Sequence, residues 1–318
     1  MKNKSFKSYV IPFLVLALII GFALSSCTSV SPSTAEKTVN EELSEAATST
    51  TTTSTETPES TESSVSLKDD ITVEEQVLLD HEGILITLQS LNADNIFGPS
   101  LKVLVENNGN KNVIVQTRNS AINGVMIESM FSCDVVAGKK ANDEITFMSS
   151  DLKTAQIETI KDIEFSFHIA DPESFTEIYS SDTINITTSA DESFVQSYDD
   201  SGFVALDQNN FKIVVKKLDS EDSFWGADIY LYVENNSEKN AIIQVRDVSI
   251  NGFMVEPAFS CEVLAGKKAF DSITFLESDL KDNNIENIDD LEFYFTIIEA
   301  DSWNNIFDSE LIKVSFSD

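Results

Sequence analysis

Three features of the 318-residue sequence predict an all-β protein built as two tandem antiparallel β-sandwiches. Short runs with alternating apolar and polar residues recur along the second two-thirds of the chain. Turn-forming residues separate these runs. The whole pattern is then written again, 128 positions further on. Aligned without gaps, Leu101–Ile169 and Ile229–Ile297 agree at 39 of 69 positions. A repeat unit of about 115 residues is a full-size domain, so the copies are beads on a chain rather than solenoid turns of about 20–50 residues.

The strands follow in order. ILITLQSL (84–91) and FKIVVKKL (211–218) alternate or nearly so. SLKVLVENN (100–108) and DIYLYVENN (228–236) are β-branched or aromatic runs that end in polar turn residues. NVIVQTRNSAI and NAIIQVRDVSI each lead into Asn-Gly, at 123–124 and 251–252. That dipeptide accepts two positive φ angles and signals a hairpin. IEFSFHI and LEFYFTI are late strands, and DTINITT and ELIKVSF are the last ones. Helix is expected only briefly, around SDLKTAQIETI and SDLKDNNIENI. Seven or eight short strands per copy argue for an immunoglobulin-like sandwich, without the disulfide and buried Trp of antibody domains.

Ahead of the repeats, Met1–Ser8 carries Lys2, Lys4 and Lys7, and the apolar run VIPFLVLALIIGFAL follows. A basic head and an apolar core shorter than the roughly 20 residues of a bilayer span read as a secretory signal. It ends in Leu24-Ser25-Ser26-Cys27, which resembles the lipobox of bacterial lipoproteins. The resemblance implies cleavage after Ser26, lipidation of Cys27 and attachment to the extracytoplasmic face of the cell membrane. From Thr28 to about Ser66 the chain is Ser, Thr, Glu, Ala and Pro, with nothing to bury. This segment reads as a flexible tether, spanning roughly 35 Å in r.m.s. terms. The expected organisation is a signal peptide (1–26), tether (27–68), first sandwich (69–188), linker (189–201) and second sandwich (202–318).

Without Met1–Ser26 the chain carries 54 acidic and 18 basic side chains, a formal charge of −36. Such a field repels nucleic acid and serves solubility. Apart from Cys27 there are two cysteines, Cys133 and Cys261, in FSCDVVAGKKA and FSCEVLAGKKA. Phe, Cys and Val alternate with Ser and a carboxylate, which turns both sulfurs toward the core as inert thiols. The AGKKA segment lacks the second glycine and the hydroxyl residue of a phosphate-binding loop. It reads instead as a turn between strands with solvated lysines.

The chain's two arginines, Arg118 and Arg246, occupy one repeat position, each sharing a strand face with a Gln. A guanidinium there either holds a carboxylate ligand or, more plainly, clamps an acid common to both copies. The clamp candidates are Glu106/Glu234, Glu128/Glu256 and Asp143/Asp271. Phe97 matches Trp225, and Phe175 matches Trp303, in settings rich in Gly, Asp and Asn. Such aromatics anchor a sugar or protein ligand, or more plainly plug the open end of a sandwich.

His81 and His168 face Gln208 and Thr296, so no histidine site is duplicated. Catalytic and metal-binding motifs are missing from the sequence, and no cofactor or metal is expected. Each copy resembles a module of exported proteins and lipoproteins of Gram-positive bacteria. The resemblance rests on VENNGNKNVIVQTRNSAING, FSCDVVAGKKANDEITF and SDLKTAQIETIKDIEFSFHI. It implies export and this fold, and carries over no catalytic or ligand residue. The expected role is that of a lipid-anchored binding or spacer protein with a protein or cell-wall ligand. The alternatives are an accessory subunit docked on an envelope partner and, more remotely, a carboxylate-dependent hydrolase.

Overall fold

The computed structural model describes residues 71–316, except 94, 221, 222 and 224. Leu24, Ser25, Ser26, Cys27 and the tether lie outside the described residues. The first copy contains β1 (Gln76–His81), β2 (Ile84–Asn92), β3 (Ser100–Asn107), β4 (Val113–Ile122), β5 (Val125–Met126), β6 (Ser129–Met130), β7 (Ser132–Val135) and β8 (Lys139–Phe147). A short α1 (Ser149–Thr154) precedes β9 (Asp162–Ala170), β10 (Glu177–Ser180) and β11 (Ile184–Thr187). The second copy repeats these elements as β12 (Phe203–Gln208), β13 (Phe211–Asp219), β14 (Gly226–Asn235), β15 (Ala241–Ile250), β16 (Phe253–Met254), β17 (Cys261–Val263) and β18 (Lys268–Leu276). They are followed by α2 (Glu277–Asp282), β19 (Asp290–Glu299), β20 (Asn305–Asp308) and β21 (Ile312–Ser315).

In the first copy one sheet has the order β1-β2-β3-β8-β6. Facing it, β9 pairs β4 on one side and β10 and then β11 on the other, while β4 also pairs β5 and β7. With β1 as an added edge strand, this is the A-B-E-D and G-F-C order of an immunoglobulin-like sandwich. The second copy follows suit, with one loss. The strand matching β6 shrinks to a single bridge, Ala258 to Thr274. Pro257 stands there in place of Ser129, and proline has no N–H for the ladder.

Period-2 alternation fills both cores. β9 and β19 bury every second residue, which brings Phe165 and Phe167 in the first copy, and Phe293 and Phe295 in the second, fully inside. Each buried Phe contributes about 1.5–3 kcal/mol of transfer free energy. The two apolar clusters are separate, one per copy. Cys133 and Cys261 are buried free thiols. Burial, aided by the Asp143 carboxylate, pushes the Cys133 thiol up to about 12, and burial raises Cys261 well above its ordinary value. As the alternation predicts, both are inert packing groups.

The two sandwiches meet end to end. Asn123 and Gly124 take φ of 50° and 82°, a type I′ turn at one end of the first copy. The backbone N–H of Lys268 donates to the Gly124 carbonyl (3.0 Å), and Lys268 sits beside Val125 in a parallel pairing. This one rung joins a sheet of each copy into a ten-stranded sheet.

Candidate functional site

The matched aromatics are displayed rather than buried, which corrects the expectation that they plug the sandwich ends. Phe97, Trp225, Phe175 and Trp303 are 57%, 58%, 67% and 70% exposed. The loops beneath them hold them out. At Phe97 the backbone carbonyl accepts from Ser149 N–H (2.9 Å), and at Trp225 from Glu277 N–H (2.7 Å). The glycine that follows each is required by space: a Cβ on Gly98 would lie 2.0 Å from the Phe147 carbonyl oxygen, and one on Gly226 would lie 2.4 Å from that of Phe275. The chain passes too close to the neighbouring strand for any side chain, so the aromatic ahead of the glycine faces solvent.

The second pair has another construction. Phe175 and Trp303 take left-handed φ of 55° and 58°, a costly conformation for a bulky residue. Phe175 N–H donates to the Asp171 carbonyl and Trp303 N–H to that of Glu299, both at 2.8 Å. In the first loop the Asp171 carboxylate accepts from the Ser174 and Glu173 N–H groups, which hold its pKa below the ordinary range. In the second, Glu299 accepts from the Ser302 hydroxyl (2.6 Å) and pairs with Lys239 (3.0 Å), with the same effect. The strain is therefore held by a closed hydrogen-bonded loop in both copies.

Arg118 and Arg246 do not clamp an acid common to both copies. Arg246 pairs with Asp247 (2.7 Å) and Asp308 (3.6 Å), and lies over the Tyr294 ring at 4.5 Å. The matching residues in the first copy are Asn119, Ser180 and Ser166, and Arg118 makes no ion pair among the described residues. The shared acids serve elsewhere. Glu106 pairs with Lys140 and Glu234 with Lys268, while Asp143 and Asp271 sit beside the buried thiols.

The lysine turn also departs from expectation in one copy. Lys139 and Lys140 face solvent, but Lys267 and Lys268 are half-buried in the junction. Lys267 forms an ion pair with Glu164 of the first copy. Lys268 pairs with Glu234 (3.2 Å) and lies 4.7 Å from the centre of the Tyr198 ring. Tyr198 belongs to the connecting segment, and its hydroxyl donates to the Asn123 carbonyl. Lys161 fastens the same segment by donating to the Glu192 and Phe194 carbonyls (2.7 and 3.1 Å). The Gln196 side-chain carbonyl accepts from Asn123 Nδ2 (3.1 Å). The segment 189–201 is thus laid along the junction.

Two further residues were not singled out from sequence. Asn107 and Asn235, in the two VENN runs, are almost wholly buried. Asn107 Nδ2 donates to the Lys111 and Val135 carbonyls, and its Oδ1 accepts from Gly109 N–H. Asn235 repeats this with Lys239, Val263 and Ser237. Each locks the lysine turn's strand to the loop beside it. The signal was an Asn at the end of a hydrophobic run in both copies.

One cleft of roughly 420 Å³ opens between β12 and the β20–β21 connection, lined by Phe203, Leu206, Asp207, Glu310 and Leu311 among others. Among the described residues, burial holds the Asp271 carboxyl above its ordinary range, and Asp271 lies beside Cys261 rather than in this cleft. Among the described residues, no three His, Cys, Asp or Glu side chains group as metal ligands.

No family model and no curated protein matches the chain. Among solved structures, the Salmonella enterica SafA pilin in complex with the SafB chaperone is similar at 12% identity. The match covers 68% of this chain and 89% of that one, with a TM-score of 0.18. The CsuC–CsuE chaperone–tip adhesion subunit pre-assembly complex, from the archaic chaperone-usher Csu pili of Acinetobacter baumannii, is similar at 14% identity. That match covers 67% and 90% of the respective chains, with a TM-score of 0.20.

Proposed function

We propose that this protein is a lipid-anchored extracytoplasmic binding protein whose ligand, a cell-wall polymer or envelope protein, is gripped by the aromatic loops. The observation that carries the reading is the display of four matched aromatics, two of them in strained left-handed backbone. Large rings held rigidly in solvent lose little conformational freedom on binding and bury much apolar area when covered. Cys27 would fix the chain to the membrane, and the acidic tether would hold the sandwiches off it.

Co-sedimentation of the full chain with isolated cell-wall sacculi, and its capture of membrane proteins, test the reading. Truncating either Trp225 or Trp303 alone to Ala is expected to weaken capture about 30-fold, as for an interface hot spot of about 2 kcal/mol. Capture that survives truncation of all four aromatics would remove these loops from any role in binding. Cys27→Ala is expected to leave the protein unprocessed or released from the membrane, and unchanged fractionation would refute the anchor.

A further inference from the structure

The contact between the two sandwiches is heterologous: one end of the second copy seats on the opposite end of the first. Because the copies are homologous, each contacting surface has a counterpart elsewhere in the chain. The donor turn, Lys267 and Lys268, is matched by Lys139 and Lys140 at the outer end of the first copy, both exposed. The acceptor is the Asn123–Gly124 turn with Val125, Met126 and Glu164. It is matched by Asn251, Gly252, Phe253, Met254 and Glu292 at the outer end of the second copy.

The burial of these counterparts differs in one direction. Val125 is fully buried and Met126 packs against the second copy's core, whereas Phe253 and Met254 are 49% and 64% exposed. The Asn251–Gly252 turn keeps the type I′ geometry of the docked turn, with φ of 49° and 84°. Its Gly252 carbonyl stands where Gly124 accepts the rung from Lys268, and a Cβ on Gly252 would meet nothing within 4 Å. Glu292 lies where Glu164 holds Lys267, half-exposed and paired with Lys313. The outer lysine turn is positively charged in a chain of net charge −33, so its complement is an acidic end such as this one.

We propose that a second copy of this chain docks on the Asn251–Met254 hairpin through its Lys139–Lys140 turn, repeating between molecules the junction built inside each. A heterologous contact of this kind leaves one free donor and one free acceptor, so assembly proceeds as an open head-to-tail row rather than a closed dimer. The intermolecular contact is weaker than the internal one. Asn142 stands where Phe270 packs on the first copy, and the internal junction also has Tyr198 and the high effective concentration of a tethered partner. The proposal does not depend on the aromatic loops or on the lipid anchor.

The test is analytical ultracentrifugation of the full chain in detergent from about 10 μM to about 1 mM, the range of weak, small interfaces. Weight-average mass is expected to at least double over this range. The pair Phe253→Asp and Met254→Asp is expected to abolish the rise, and so is Lys139→Glu with Lys140→Glu. All four positions are exposed, so unchanged circular dichroism would confirm folding. Mixing the two variants restores one acceptor and one donor, and dimers but no larger species should form. In a separate mixture, chains carrying Phe253→Cys and chains carrying Lys140→Cys should become disulfide-linked under mild oxidation by oxidised glutathione. A constant mass, a dimer insensitive to both variants, or a mixture that stays monomeric would each overturn the proposal.

Discussion

The Lys267–Glu164 ion pair crosses the junction between the two sandwiches and is the contact whose contribution to their coupling is most directly measured. Its side chains are 18% and 20% exposed, so the pair lies between two measured regimes. Exposed ion pairs contribute about 0.2–1 kcal/mol, while breaking a buried pair costs about 3–5 kcal/mol because a charge is left stranded. For groups some four-fifths buried, a coupling of about 1–2 kcal/mol is expected. A double-mutant cycle with Lys267→Ala, Glu164→Ala and the double variant isolates it. Both tryptophans of the chain, Trp225 and Trp303, lie in the second sandwich, so tryptophan fluorescence in urea follows that sandwich while circular dichroism follows both. Each single variant should lower the fluorescence midpoint, and the double variant should be less destabilised than the sum of the two. Lys139→Ala removes the same residue from the same turn in the exposed copy, and should change stability by no more than about 0.5 kcal/mol. A coupling below about 0.3 kcal/mol, or equal effects of Lys267→Ala and Lys139→Ala, would refute the reasoning.

Three other outcomes are expected. Asn235→Ala strands the Lys239 and Val263 carbonyls and the Ser237 N–H, and should cost about 2–4 kcal/mol in urea unfolding, with a loss under about 1 kcal/mol contradicting the buried hydrogen-bond account. Gly226→Ala, whose Cβ would lie 2.4 Å from a carbonyl oxygen, should destabilise by more than about 2 kcal/mol, while Gly252→Ala in open space should cost about 1 kcal/mol; equal losses would show that backbone conformation alone decides. Asp199, in the connecting segment, accepts from the Ser201 hydroxyl and from Lys216, which bring its pKa down to about 2 from 3.8. A depressed carboxylate stabilises above its unfolded pKa and loses that stabilisation as pH falls through its folded one. The melting-temperature gap between the parent chain and Asp199→Asn should therefore narrow from about pH 4 to pH 2, and a constant gap would contradict the assignment.

The strands were legible because burial on one face imposes period-2 alternation, and because Asn-Gly turns tolerate φ angles that few residues do. β9 and β19 follow the sequence pattern residue by residue. The junction was not legible, since AGKKA is identical in both copies and only the neighbour decides whether its lysines are solvated. A hint lay in the polar connecting segment, where Phe194 and Tyr198 are out of character with a free linker. The arginine partners are not legible from the repeat, because Asp247 and Asp308 belong to the second copy alone and Asn119 and Ser180 stand at the matching positions of the first. The exposure of the aromatics turns on the backbone approach at Gly98 and Gly226, and on closed loops at Phe175 and Trp303. Both are three-dimensional facts that local composition does not encode.

The single rung between Lys268 and Gly124 also has a mechanical consequence. In a chain pulled from both ends, the tension that passes through each sandwich also crosses that rung, the Lys267–Glu164 pair and the Met126 and Phe270 contacts of the junction. These few contacts yield at lower force than strand pairings of eight or nine residue pairs, so the joint is expected to part first while both cores stay folded. The segment 189–201 then unclips as a leash. At about 3.4 Å per extended residue, its 13 positions pay out up to roughly 45 Å before tension returns to the sandwiches.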